Sequence, residues 1–242
     1  MLKLPKIYLS TSEKFKKFDG LPKLSYSQYS SWNTIEYRVA YILEYIFGIK
    51  QETNVFATYG GQVGAYIEAK GTGQVLKEEE MSMLSQSDKE FLDSLEYPPN
   101  CTYEEEIVLM VECNDGVFCI QGFMDRAQYF EENRVCVTDF KTGNADKKVE
   151  YYAAESFGQT TLYCKQKADE GYSVECSNVL LLGRKGNARP GHPIRLSGQF
   201  IPVPTEYSEE RALKLIEEFK RTAREISSLM LLVERIDNTV TK

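Results

Sequence analysis

The residues of this 242-residue chain whose types and spacing best fit chemistry are Asp139 and Lys141, within Val135-Cys-Val-Thr-Asp139-Phe140-Lys141-Thr142-Gly143. On a strand, successive side chains alternate faces. Asp139 and Lys141 therefore point the same way, roughly 6.6 Å apart along the strand, and Phe140 turns to the other face. Gln121-Gly122-Phe-Met-Asp125 precedes them, and a short turn would bring Asp125 beside Asp139 across the ladder. Two carboxylates and an ammonium at one strand end are costly unless something compensates. A hard divalent cation does so, because Mg²⁺ prefers one or two carboxylates together with water and phosphate oxygens. Water on such a metal is more acidic than bulk water, and the metal neutralises charge building on a phosphoryl oxygen. A lysine beside it orients the attacking water or stabilises that charge. This is equipment for phosphodiester hydrolysis without histidine.

Asp/Glu-x-Lys is a loose pattern. It recurs at Glu68/Lys70, Asp146/Lys148 and Glu218/Lys220, in predicted helices or a loop, where a solvated, salt-bridged face is the simpler reading. Asp139/Lys141 alone sits at the end of an apolar strand with a second Asp on its neighbour, and surface charge is the competing reading there.

Histidine and cysteine point away from other chemistries. His192 is the single histidine and lies in a Gly/Pro loop, so a Ser-His-Asp or Cys-His mechanism has little to work with. The six cysteines form no C-x-x-C pair, which argues against zinc ribbons and iron–sulfur sites. Several lie in apolar runs and are expected to be buried small hydrophobes rather than disulfides.

The elements that must position these residues follow from periodicity. Ser25 or Ser27 caps a predicted helix to about Phe47, with Trp32, Ile35, Val39, Ile42, Leu43 and Ile46 along one face and Gly48 ending it. Gly60-Gly61-Gln-Val-Gly64 reads as a turn entering a second helix, and 78–95 as a polar helical segment. Glu104–Cys113, Val117–Phe130 and Arg134–Lys141, separated by Asn114-Asp-Gly116 and Glu131-Glu-Asn133, read as a three-stranded antiparallel meander. A helix is predicted over 150–168, strands over 173–183 and 194–203, a basic loop over 184–193, and a long helix over 205–232. The order is that of an α/β fold with a mixed sheet and helices on both faces. The chain is expected to form a single domain over 1–242, with an N-terminal arm (1–23) and a C-terminal helix (205–242).

The set Gly122-x-x-Asp125, Asp139-x-Lys141-Thr-Gly143 and Gln159-x-x-x-Tyr163 resembles the PD-(D/E)xK nuclease superfamily, and within it the RecB-type, Cas4-like and phage exonuclease branch. Leu24-Ser-Tyr-Ser-Gln-Tyr29 is similar to the Leu-Ser-x-Ser opening of many such domains, so the resemblance covers roughly 24–183. It implies a restriction-endonuclease-like mixed central sheet flanked by helices. It also implies that Asp125 and Asp139 bind Mg²⁺ or Mn²⁺, that Lys141 is the catalytic lysine, and that Gln159 and Tyr163 border the site and contact the nucleic acid strand. Boundary residues on an amphipathic helix are the alternative for Gln159 and Tyr163. That branch often carries Gly-x-x-x-His in the helix before the meander, and Gly64 stands where this His would be. Glu68, one turn further on the same face, is the candidate for the missing ligand and catalytic carboxylate, with an exposed Glu paired to a neighbouring Lys as its alternative. Glu106 is a weaker candidate. The clustered C-terminal cysteines of the iron–sulfur members are missing, so no cluster is expected.

Arg184, Lys185 and Arg189 form a basic stretch suited to positioning phosphates, or else a solvated loop. Lys14, Lys16, Lys17, Lys147 and Lys148 could extend it. The net charge of −7 excludes only bulk coating of nucleic acid. The expected activity is a metal-dependent exodeoxyribonuclease of DNA recombination, repair or phage DNA processing. Its partners would be DNA and a recombination or replication protein. A non-catalytic nucleic-acid-binding or assembly protein on the same fold, or an RNA-directed nuclease, is the alternative. The chain has no run long and apolar enough to cross a membrane and no apolar signal-peptide core, so no membrane association and a cytoplasmic location are expected, in a bacterium or, if phage-encoded, in its host.

Overall fold

The computed structural model describes residues 2–5, 9–50, 52, 54–154, 157–187, 189 and 192–240. Among these, six strands form one mixed sheet: β1 (Lys23–Leu24), β2 (Cys101–Cys113), β3 (Gly116–Phe130), β4 (Arg134–Gly143), β5 (Ser173–Lys185) and β6 (Arg195–Pro204). The path is β1-β3-β4-β5-β6, with β2 also paired to β3. β3 and β4 are antiparallel, β4 and β5 parallel, and β5 and β6 antiparallel. With the flanking helices this is the restriction-endonuclease-like α/β architecture expected. The β3–β4 turn carries Glu132 and Asn133 at φ 60° and 54°, the left-handed pair that a tight hairpin matching strand twist requires.

The chain divides into two compact units, each assembled from separate stretches. The first comprises residues 1–52, 106–123 and 209–242. It holds α1 (Tyr26–Asn33), α2 (Ile35–Tyr41), the long α7 (Glu209–Val240), and β1 paired in parallel with the start of β3. The Ser25 hydroxyl accepts from the Gln28 amide while the Gln28 side chain accepts from the Ser25 amide, a capping box that starts α1. The single helix expected to run from there to Phe47 is instead three pieces, because Thr34 is extended and a π turn follows over Ile42–Ile46. The break resets the helical phase. Trp32 stays buried and donates to Glu225, whereas Ile35 and Val39, expected on the core stripe, are 79% and 64% exposed.

The second unit comprises residues 53–105 and 124–208. It holds α3 (Val55–Thr72), α4 (Gln86–Asp93), α5 (Ala145–Ala153) and α6 (Gln159–Asp169) with β4, β5, β6 and the remaining parts of β2 and β3. Tyr59, Val63 and Ile67 of α3 pack with Leu92, Leu182 and Leu196 in its core. The helix expected over 150–168 is two: Ala154 is extended, Gly158 precedes α6, and Gln159 becomes the first residue of α6. Cys136 and Cys176 face each other across the β4–β5 pair with Cα atoms 4.6 Å apart and are joined by a disulfide, against the expectation of separate buried thiols. Two chain segments 40 residues apart in sequence are thereby brought into one register, which no local pattern reveals.

Candidate active site

β4 is buried from Val135 through Asp139 and partly exposed over Phe140, Lys141 and Thr142, so Asp139 and Lys141 sit where the strand emerges from the core. Alternation works here as expected. The Lys141 ammonium lies 2.8 and 2.7 Å from the two Asp139 carboxylate oxygens, and Asp139 is wholly buried. Arg126 of β3 pairs with Thr138 of β4, and one step beyond that pair lies Asp125, whose Oδ2 accepts from the Phe140 amide. The hairpin therefore delivers Asp125 beside Asp139.

A cavity of about 240 Å³ opens at this strand end. Asp125, Phe140 and Lys141 form one side, Glu68 with Gly60, Gly61, Gly64 and Ala65 of α3 a second, and Glu104 of β2 a third. Asp139 does not line it; it lies behind Lys141 as that residue's counter-ion. The three glycines are not a turn entering a helix, as the sequence suggests, but lie inside α3. Glycine within a helix costs about 1 kcal/mol relative to alanine, and the packing accounts for at least one of them. A Cβ at Gly60 would stand 3.0 Å from the Thr142 hydroxyl, whereas at Gly61 and Gly64 it would meet nothing within 4 Å. The α3 wall is consequently open at Gly61 and Gly64, and Gly64 leaves room where the family resemblance expects a His.

Glu68 points to the cavity rather than to a surface ion pair. The neighbouring Lys70 is taken by Asp93 at 2.6 Å, and no ion pair to Glu68 occurs among the described residues.

Glu106 does not belong to the site. Its carboxylate accepts from the Thr11 amide and hydroxyl, the Ser12 amide and the Gln121 side chain, so it holds the start of the turn over Glu13–Phe18 in the first unit. These hydrogen bonds keep its pKa low against the opposing effect of burial, which is the largest single influence on it. Glu104 is at the cavity instead. Two residues apart on a regular strand, Glu104 and Glu106 would share a face. Glu104 has φ 48°, a left-handed conformation that breaks the pleat. The only sequence sign of it is the run Glu104-Glu105-Glu106, which does not say which carboxylate turns where.

The electrostatics follow from this crowding. Burial, with the Asp139 charge second, pushes the Asp125 carboxyl up to about 8. Burial raises Asp139 as well, against the pull of Lys141. Burial alone would lower the Lys141 ammonium, and the charges of Asp139 and Asp125 more than offset it, so Lys141 keeps its proton. Glu104 is exposed at the cavity rim, and desolvation by the groups around it and then the Glu68 charge raise its carboxyl. Four carboxylates meet a single ammonium, and without a cation the least costly relief is a proton on Asp125.

Gln159 and Tyr163 are brought together, the Gln159 amide donating to the Tyr163 hydroxyl at 2.5 Å. Tyr163 is 3% exposed, and its hydroxyl is pushed well above its ordinary value by burial and then by Asp139 and Asp125. It backs the aspartates from inside, and Gln159 keeps the more open position. Arg184 and Lys185 are not loop residues: they are the last two residues of β5, pairing with Leu196 and Arg195, and the Arg184 guanidinium lies 4.0 Å from the centre of the Phe56 ring. Burial lowers its pKa, with Tyr59 and Tyr152 opposing. Tyr152 of α5, unremarked in the sequence, is buried and feels Lys141, Asp139 and Arg184 together, so it links the basic end of β5 to the carboxylates. Lys185 and Arg189 are exposed, and Arg189 bridges to His192. Of the lysines expected to extend the basic track, Lys16 pairs with Glu13, Lys14 and Lys17 lie over Phe15 and Phe18, and Lys148 lies over Tyr151.

The donor set is that of a hard divalent cation: carboxylate oxygens on a cavity wall, with an excess of negative charge that one lysine does not cancel. Among the described residues no three His, Cys, Asp or Glu side chains already converge on one point, so a cation would have to draw the carboxylates in and compete with Lys141 for Asp139. Also among these residues, no helix is long and apolar enough to cross a membrane.

A family model described as the PD-(D/E)XK nuclease superfamily matches residues 39–240. No curated protein matches the sequence. The crystal structure of SSO0001 aligns with 79% of this chain and 86% of that one at 15% identity and a TM-score of 0.37, a likeness too low to carry weight.

Proposed function

Since the chain belongs to the PD-(D/E)XK nuclease superfamily, we propose that it hydrolyses DNA phosphodiester bonds with Mg²⁺ or Mn²⁺, as an exonuclease of the RecB-type, Cas4-like and phage branch. Its setting would be DNA recombination, repair or phage DNA processing, beside recombination or replication proteins. The observation that carries this reading is the Asp139–Lys141 ion pair at the end of β4, opening on a cavity shared with Asp125 and Glu68.

In this reading Asp125, Asp139 and Glu68 hold the cation, which would acidify a water and neutralise charge on the phosphoryl oxygen. Lys141 is kept protonated by its carboxylate neighbours, so its Nζ is a donor to a non-bridging phosphate oxygen throughout the reaction. Tyr163, fixed by Gln159, holds the aspartates from behind, and Gln159 meets the strand. Arg184, Lys185 and Arg189 supply charge for the flanking phosphates. The glycine-rich wall of α3 would let a phosphate backbone approach closely, since a Cβ at Gly61 or Gly64 would meet nothing within 4 Å.

The test is cleavage of end-labelled linear DNA, circular DNA and RNA of matched sequence with Mg²⁺, Mn²⁺ or EDTA. Metal-dependent loss of linear DNA, with circular DNA spared, is the expected result. Preferred cleavage of RNA would transfer the reading to an RNA-directed nuclease. No cleavage of any substrate, with binding retained, would favour a non-catalytic nucleic-acid-binding protein, a reading that the empty space at Gly64 supports.

A further inference from the structure

We infer that Glu104 is a carboxylate of the cation site, completing the donor set on the side where Gly64 offers none. The inference rests on the proposed metal-dependent reading and adds a residue to it.

Three placements carry it. First, Glu104 lines the same cavity as Glu68, Asp125 and Lys141. Second, its neighbour Tyr103 fixes it there: a Cβ at Gly71 would stand 2.1 Å from Tyr103 Cζ, so the tyrosine ring lies directly against α3. Gly71 is three residues, about one helical turn, past Glu68. Clamping Tyr103 to Gly71 sets the next residue of β2 beside the turn that carries Glu68, and both carboxylates line the same cavity. Third, Glu104 adopts φ 48°, a conformation that disfavours side chains with a Cβ and suits glycine or asparagine. Glutamate at such a position gains nothing for the fold.

The adjacent glutamates show what a purely structural role looks like here. Glu105 accepts from the Tyr129 hydroxyl and the Lys167 ammonium, and Glu106 accepts four hydrogen bonds from Thr11, Ser12 and Gln121. Glu104 faces a cavity that also holds Glu68 and Asp125, so its carboxylate adds negative charge where charge is already in excess. A divalent cation converts that repulsion into ligation.

The experiment is titration of the metal-free protein with Mn²⁺ alone, read by the loss of free-ion electron paramagnetic resonance signal, with thermal unfolding measured in EDTA. Glu104→Gln is expected to weaken Mn²⁺ binding roughly ten- to a hundredfold, the range seen when a group acting on a bound metal is lost. Glu104→Gly is expected to weaken it as much while unfolding at the same or a higher temperature, since the left-handed backbone is relieved. Glu106→Gln is expected to leave Mn²⁺ affinity unchanged. Wild-type affinity in both Glu104 variants, with affinity lost in Asp125→Asn, would overturn the role of Glu104 and leave the site standing. Wild-type affinity in Asp125→Asn as well would overturn the metal site itself.

Discussion

Two lysines in the second unit, the buried Lys167 and the partly exposed Lys141, are built for opposite purposes. Lys167 is 1% exposed, and its ammonium donates to Glu105, to the Tyr129 hydroxyl at 2.7 Å and to Glu170 at 3.0 Å, with the Tyr129 and Tyr172 rings around it. An ammonium has three protons to give, and here each has a taker. Lys141 hydrogen-bonds only to Asp139 among the described residues and opens on a cavity. A saturated buried ion pair fixes a helix against a sheet. An unsaturated one beside excess carboxylate leaves donors and charge for a ligand. The helix α6 serves both, with Gln159 and Tyr163 toward the aspartates and Lys167 toward the cluster around Glu105.

The contrast can be broken from either side. Asp125→Asn, which removes charge only at the open site, should lower metal-dependent cleavage by about a hundredfold or more, measured as initial rates on labelled DNA, with folding intact. Lys167→Met, which leaves Glu105 without its buried cation, should cost about 3 kcal/mol in denaturant unfolding and leave the cleavage rate per folded molecule unchanged. A Lys167→Met protein that unfolds like wild type would remove the basis for calling that cluster structural.

The pH dependence sharpens the comparison. Asp125 in the folded, metal-free protein binds its proton up to about pH 8, against about 3.9 for an unfolded aspartate. The folded state therefore holds the extra proton. The resulting stability is fully present below about pH 4 and is lost as pH rises through about 8. In EDTA, wild type should lose melting temperature relative to Asp125→Asn between pH 5 and 9. With Mn²⁺ the difference should shrink, because the cation takes the proton's place. A smaller effect is expected at Tyr163→Phe: the Gln159 bond is lost, about 1 kcal/mol of stability goes with it, and cleavage falls modestly.

What the sequence conveyed of this site follows a physical division. Asp139, Lys141 and Asp125 were legible because strand alternation and hairpin register are local rules, and β4 obeys them. Glu104 was hidden because a single left-handed residue reverses the alternation on which the choice between Glu104 and Glu106 depends. The glycines of α3 suggested a turn because glycine's local preference is for turns. Their place inside a helix reflects close approach to Thr142 at Gly60 and an open wall at Gly61 and Gly64, which are tertiary facts. The broken helices at Thr34 and Ala154 keep helical periodicity on both sides of an extended residue, so the pattern reads through the break. Membership of the nuclease superfamily and the mixed sheet agree with expectation. The Cys136–Cys176 bond depends on the β4–β5 register alone and could not be read from spacing.

The central claim is that Lys141 acts on a metal-activated phosphodiester at the open cavity. Its most direct test compares wild type with Lys141→Ala on labelled linear DNA, with Mg²⁺ and with EDTA, after confirming equal folding. The account predicts cleavage by wild type with Mg²⁺, none with EDTA, and a fall of about a hundredfold or more for Lys141→Ala. Equal metal-dependent cleavage by the two proteins would contradict it.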